Sequence, residues 1–486
     1  MPSNRQVARA VRRHDVPAWW RDAKLGIFVH WTPASVPAFA PVDSDMGQLM
    51  ARRDPQAMAF SPYVEWYENS LRFPDSPAAR HHRAVYGDRP YRDFAGDWEA
   101  GLANWDPGDW ADRFAACGAR YVVLVTKHHD GYCLWPTEVP NPNRPGWNST
   151  RDVVGELCEA VRGRGMRFGV YYSGGLDWTF NDHPIGSFSD LLRAQPTGAY
   201  AGYAEAQVRE LIGRYRPSVL WNDISWPAPA AKLAALLAAY YREVPDGVVN
   251  DRFMPRSAAW RLGETPPAAA LIDRLAARGA RAATGIVPPK PPFFDVRTPE
   301  YTVFHAPQRQ AWESVRGMDH SFGYNRASAE EQFLRRDELA WSLVDIVAKG
   351  GNLLLNVGPR GEDAGIPASQ ARRLDWLGEL TGAMGLALYA TRPWVRAEGS
   401  DAASEIRYTA RDRDVYAFVR PTPGHSPVAQ VTLAGVEASA AADLDGGSLA
   451  MEHVDAGLSI TLAQAATAER PGVVVLSGAS ALPLQA

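Results

Sequence analysis

The stretch YRPSVLWNDISWP, Tyr215 to Pro227, contains an apolar run, Val219-Leu220-Trp221, short enough for a buried strand, followed by Asn222 and Asp223 with no basic residue adjacent. Trp221 and Trp226 fence that carboxylate. Alone, Asp223 would read as a helix cap, since βα loops often close on aspartate. The same shape recurs along the chain, however. His30 and Trp31 follow LGIFV; Lys127, His128, His129, Asp130 and Gly131 follow YVVLVT; Tyr171, Tyr172 and Ser173 end RFGVYYS; Asn250, Asp251 and Arg252 follow GVV. In a parallel barrel all strand C-termini lie on one face, so these residues, more than two hundred positions apart, would converge on one cleft.

The alternation that supports a barrel runs through most of the chain. Candidate strands are LGIFVHW, RYVVLVTKH, RFGVYYS, SVLWND, GVVNDRF, FFDVRTPE, SFGYN and NLLLNVGP, up to eight. Between several of them lie segments with helical spacing, such as DVVGELCEAVRGRGM, YAGYAEAQVRELIGRYRP and AKLAALLAAYYREV. The expected class is therefore α/β, a TIM-like (β/α) barrel. SAEE at Ser328 reads as a capping box opening a helix that Gly350 and Gly351 stop. Beyond ALYATRPW short alternating runs replace the helical spacing, which predicts a C-terminal β-sandwich. The expected division is a catalytic barrel over 1–390 and a sandwich over 391–486. Residues 254–292, rich in Ala, Arg and Pro, fit neither pattern and predict a surface excursion with a helix at LIDRLAARGARAA.

Composition narrows the chemistry. The 486 residues are 46% hydrophobic and 22% charged, with 51 Lys plus Arg against 55 Asp plus Glu, so no basic field argues for nucleic acid or an anionic membrane. No apolar run of membrane-spanning or signal-peptide length is present, and the chain reads as cytoplasmic. Cys117, Cys133 and Cys158 form no CxxC pair and no zinc spacing and read as buried thiols. Seventeen tryptophans stand out, because flat aromatic faces are what sugar rings stack on, although most of them should simply fill the core. A P-loop, a dinucleotide fingerprint and a GxSxG elbow are all missing, which disfavours phosphoryl transfer and serine hydrolysis. Carboxylates, imidazoles, an arginine and aromatic walls at strand ends suit glycoside hydrolysis, where one carboxylate attacks or activates water and another protonates the leaving oxygen.

In this order, WWRDAKLGIFVHW, EWYENS, TKHHDGYCLW, GVYYSGGLDW, LWNDISWP, VNDRF, TPEY, SFGYN and GGNLLLNVGP resemble the α-L-fucosidases of glycoside hydrolase family 29 over about residues 17–395. The resemblance implies a barrel with a C-terminal sandwich, hydrolysis with retention of anomeric configuration, and neither metal nor organic cofactor. It makes Asp223 the nucleophile. It implies that His30, Trp66, His128, His129 and Arg252 bind the fucose, with Phe28, Tyr171, Trp221 and Phe322 around the sugar and its C6 methyl. Fucosylated oligosaccharides or glycoconjugates are the implied partners; a homo-oligomer is compatible with the chain, and nucleic acid and membrane are not expected. Two departures stand out. Thr32 and Pro33 replace the glycine usual after the His-Trp pair. The excursion separates VNDRF from TPEY, so the acid/base is Glu300 by motif, the preferred assignment, or Glu264 by distance from the arginine; the excursion could also border the aglycone subsite.

Overall fold

Seven short strands form one parallel sheet: β1 (Leu25–Val29), β2 (Tyr121–Lys127), β3 (Arg167–Tyr172), β4 (Val219–Asn222), β5 (Val248–Val249), β6 (Trp312–Arg316) and β7 (Gly351–Val357). Their spatial order is β5-β4-β3-β2-β1-β7-β6, with every pairing parallel. The computed structural model describes residues 3–51, 57–256, 265–282 and 285–481. Runs such as VVLV bury both faces, as parallel strands under covering helices must. Gly26 illustrates how closely the layers approach, because a Cβ there would lie 2.3 Å from the ring of Tyr121.

The sheet is closed by an irregular segment. The amides of Asp295 and Val296 donate to the Val249 carbonyl at 2.9 and 3.2 Å, and parallel bridges pair Arg297 with Trp312 and Glu300 with Val315. Residues 295–300 thus fill the gap between β5 and β6. FFDVRTPE was expected as a regular strand, but it pairs only through these isolated bridges. SFGYN is a loop, in which the Asn325 amide group bonds both backbone atoms of Ala40 and ties that loop down. The strand that takes its place in the ring is β6, WESVR. The SAEE expectation also fails: Glu330–Gln332 is a single 3₁₀ turn, and the helix begins at Arg336, running to Ala348 before Gly350 turns the chain at φ +80°.

Helices Val153–Gly163, Tyr200–Tyr215 and Ala230–Glu243 stand where their spacing predicts. In the excursion a helix spans Pro266–Ala282. After the helix Ala368–Leu388, the chain builds a five-stranded antiparallel sheet and a three-stranded one, with a two-stranded ribbon beside them. In its strand Asp414–Pro421, Val415, Ala417 and Val419 face the sandwich core while Tyr416 and Phe418 pack with the barrel's helices, so one period-2 strand serves two cores. No helix among the described residues is long and apolar enough to cross a membrane.

Candidate active site

At the C-terminal ends of the strands lies a cavity of about 310 Å³. Phe28 and His30 reach it from the end of β1, His128 and His129 from β2, Tyr171 from β3, and Trp221 and Asp223 from β4. Arg252 follows β5, Glu300 ends the closing segment, and Trp66 and Phe322 come from loops. One cavity therefore brings together every site residue named from the sequence except Glu264, which lies outside the described residues.

Arg252 organises the carboxylates. Its Nη1 donates to Asp223 Oδ1 at 3.1 Å and its Nη2 lies 2.6 Å from Glu300 Oε1, so one planar guanidinium holds both acids. Nε donates to Thr298 Oγ1 at 3.2 Å, Nη2 also to the Thr298 carbonyl at 3.1 Å, and the fork lies over the Trp221 ring at 4.7 Å. Asp223 Oδ1 accepts a second bond from the Ile224 amide at 2.8 Å, whereas Oδ2 accepts from the Tyr171 hydroxyl at 2.8 Å. Burial lifts Glu300 above the usual carboxylate range; Arg252 opposes that rise and the Asp223 charge adds to it.

The three imidazoles are neutral. Burial holds His30 down to about 4 and His129 to about 3, and it also lowers His128 well below the usual imidazole range, with its neighbours His129 and His30 adding to the effect. The tautomer of His129 follows from its partner. Ser173 Oγ gives its proton to the Leu176 carbonyl at 2.7 Å, so it accepts from His129 Nδ1–H at 2.7 Å and leaves Nε2 as a bare lone pair, 3.9 Å from Asp223 Oδ2. His30 Nδ1 bonds Asn356 Oδ1 at 2.5 Å, and His128 Nδ1 has no partner among the described residues. His128, His129 and Asp223 each present one donor atom within 4.8 Å of the others, a set that could take a cation. The guanidinium on Asp223 and the Lys127 ammonium beside the histidines oppose one there.

Aromatic rings complete the enclosure. Phe28 packs against Trp221 at 5.2 Å, Tyr171 at 5.8 Å and Phe322 at 6.5 Å, while Trp66 stands edge-on to His129 at 5.4 Å.

Two carboxylates of the site were not anticipated from sequence. Glu65 lines the cavity beside Trp66, accepts from the Gly323 amide through Oε1, has no partner for Oε2 among the described residues, and is pushed by burial to about 8, which favours the protonated, donating form. In the sequence, its one pointer is its place beside Trp66 in EWYENS. Glu313, fully buried, accepts from Trp221 Nε1 at 3.2 Å and from the Tyr121 hydroxyl at 2.7 Å, and so anchors the ring on which Arg252 rests.

Known proteins resemble this chain in sequence and fold. The alpha-L-fucosidase family model matches residues 3–385. Tissue alpha-L-fucosidase of Bos taurus is 30% identical over 445 residues, covering 87% of this chain and 81% of its own, and the Homo sapiens tissue enzyme is 28% identical over 414 residues, covering 83% and 75%. Among solved structures, Thermotoga maritima alpha-fucosidase in complex with a mechanism-based inhibitor is 36% identical with a TM-score of 0.78, covering 96% of this chain and 98% of its own. The same protein in complex with fucose gives a TM-score of 0.76. This chain belongs to the alpha-L-fucosidase family and is a glycoside hydrolase.

Proposed function

We propose that the protein hydrolyses terminal α-L-fucosyl linkages with retention of configuration, with Asp223 as nucleophile and Glu300 as acid/base. The observation that carries this reading is the single guanidinium of Arg252 holding both carboxylates at the inner end of an aromatic cavity. Asp223 Oδ2 is the attacking oxygen in this reading, since Oδ1 is held by two donors, Arg252 and the Ile224 amide, whereas Oδ2 accepts from the Tyr171 hydroxyl alone, a bond that can orient it. In the first step Oδ2 bonds C1 while the C1–O bond breaks and Glu300 gives its proton to the leaving oxygen. In the second, water attacks C1, returns a proton to Glu300 and frees Asp223. Glu300's raised pKa suits this cycle, because the group must be protonated first and basic afterwards.

His30, His128 and His129, all neutral, and protonated Glu65 then serve the sugar hydroxyls, while Trp66, Tyr171 and Trp221 enclose the ring. Phe28 and Phe322 form the wall for the C6 methyl. Residues 1–390 would carry this catalysis and 391–486 the sandwich. The Thermotoga maritima relative was crystallised with a mechanism-based inhibitor and with fucose, which supports the reading.

The test is hydrolysis of an aryl α-L-fucoside followed by NMR, beside the corresponding glycoside of L-galactose, which differs by a 6-hydroxyl. The first product should be α-L-fucose, and the galactoside should lose about 1–3 kcal/mol of transition-state stabilisation because its extra hydroxyl meets phenyl rings. A β-configured first product would refute retention. Equal kcat/KM for the two sugars would favour a broader glycosidase.

A further inference from the structure

The cavity has two chemically different ends. Its inner end holds the carboxylates and imidazoles; its outer end is built by Phe188, Leu191 and Leu192 of the helix Phe188–Arg193 and by Met254, Ile286 and Pro288 of the excursion. The excursion is fixed against that helix. Asp273 accepts from the Ser189 amide at 2.7 Å and from the Ser189 hydroxyl at 2.8 Å, and so ties Pro266–Ala282 to the helix that carries Phe188, Leu191 and Leu192. Among the described residues of this outer part, Gln195 is the polar side chain, and its Oε1 is already occupied by Ser225 Oγ at 2.9 Å.

We infer that this outer half is a leaving-group subsite for an apolar aglycone, an alkyl chain or aryl ring, rather than for a second sugar. The inference rests on the fucosidase reading above. If the fucose occupies the inner end, with C1 between Asp223 and Glu300, whatever hangs from the glycosidic oxygen can pass outward between these side chains; the polar cavity on the other side of Glu300, lined by Tyr301, Arg316 and Asp319, is the competing route, and a disaccharide cleaved fastest would favour it. A sugar would bring hydroxyls on every edge and strip them of water against methionine, leucine, isoleucine, proline and phenylalanine, which offer no hydrogen bonds. An alkyl or aryl group desolvates there without loss and removes apolar protein surface from water.

The test compares kcat/KM for methyl, hexyl and octyl α-L-fucosides, a 2-naphthylmethyl fucoside and fucosyl-α1,2-galactose, all below micelle concentrations. Every leaving group is an alcohol, so the demand on the acid is similar and the aglycone's surface is what varies. The octyl or the naphthylmethyl fucoside should exceed the methyl fucoside at least tenfold and should exceed the disaccharide; which of the two leads tells chain from ring. Phe188→Ser and Leu192→Asn should each cut the ratio of that fucoside to the methyl one at least threefold. A flat series, or a disaccharide cleaved faster than both apolar fucosides, overturns the subsite and leaves the fucosidase reading standing. Failure to cleave any fucoside overturns both.

Discussion

Asp223 and Glu300 share one arginine but are carried by unlike pieces of backbone. Asp223 follows β4, which is paired on one side with β3 from Gly169–Val219 to Tyr172–Asn222 and on the other with β5, so ladder hydrogen bonds fix where the strand ends. Glu300 ends a stretch with isolated bridges alone, and side chains hold it instead. Asp251 accepts from the Arg297 Nε, from the Thr298 amide at 3.0 Å and from the Thr298 hydroxyl at 2.7 Å, and Thr298 in turn receives Arg252. Both carboxylates are followed by a residue in the left-handed region, Ile224 at φ 65° and Tyr301 at φ 51°, a strain of order 1–3 kcal/mol each that the surroundings must impose. A strand end can thus be positioned by its ladder, whereas an irregular closing segment needs a polar network, and the two should respond differently to mutation.

The largest effect should come from the ladder-held group. Asp223→Gly should lower turnover about 10⁴-fold or more, as loss of a nucleophile does, and azide should restore it as a fucosyl azide of inverted configuration. Retention in that product would remove Asp223 from its role. For Glu300→Ala the loss should depend on the leaving group: about 10²–10⁴-fold on alkyl fucosides and little on dinitrophenyl fucoside, where no proton is needed. Azide should here give the retained product. The pH profile supplies the sign: Glu300 has a raised pKa, so wild-type activity on alkyl fucosides should fall as pH rises through it, and that basic limb should vanish in the variant. A limb that survives would mean another group, Glu264 included, gives the proton.

The contrast sharpens at Asp251, whose side-chain hydrogen bonds go to Arg297 and Thr298 rather than to Asp223. Asp251→Asn removes the charge facing buried Arg297 and one of the two carboxylate oxygens that Arg297 and Thr298 share, and should cost about 1–3 kcal/mol of stability. Its kinetic signature should be a partial Glu300→Ala, roughly 10–100-fold on alkyl fucosides with dinitrophenyl fucoside nearly spared. Equal losses on both substrates would show that the network holds Asp223 too.

The same division governs what could be read in the sequence. β1 to β4 and β7 were legible because each is an apolar run capped by polar residues. β6 was not, since its Glu313 points inward to bond Trp221 and Tyr121 and breaks the apolar pattern that marks a buried strand. FFDVRTPE read as a strand because its apolar residues are strand formers, yet side-chain bonds replace most of its ladder. The SAEE helix start misled for a related reason: a capping box is a local signal, and Phe333 and Leu334, both buried, hold the chain extended before Arg336. At the site, the strand-end residues were visible as a convergent set. Glu65 was not, because its place beside Trp66 in EWYENS does not tell a glutamate raised to about 8 by burial from an ordinary solvated one.

The smallest expected effect concerns His128, His129 and Asp223, whose donor atoms lie close enough for a metal site. A divalent cation there would take the lone pairs of the nucleophile itself. It would also face Arg252, 3.1 Å from Asp223 Oδ1, and the buried ammonium of Lys127, itself held by Asp177 at 2.7 Å. Like charges at such distances disfavour one another strongly where water is excluded. Chelation with EDTA should therefore leave kcat/KM within about twofold. Activity lost in EDTA and regained with one divalent ion would overturn this, and would recast the histidines from partners of the sugar hydroxyls into ligands that hold Asp223 in place.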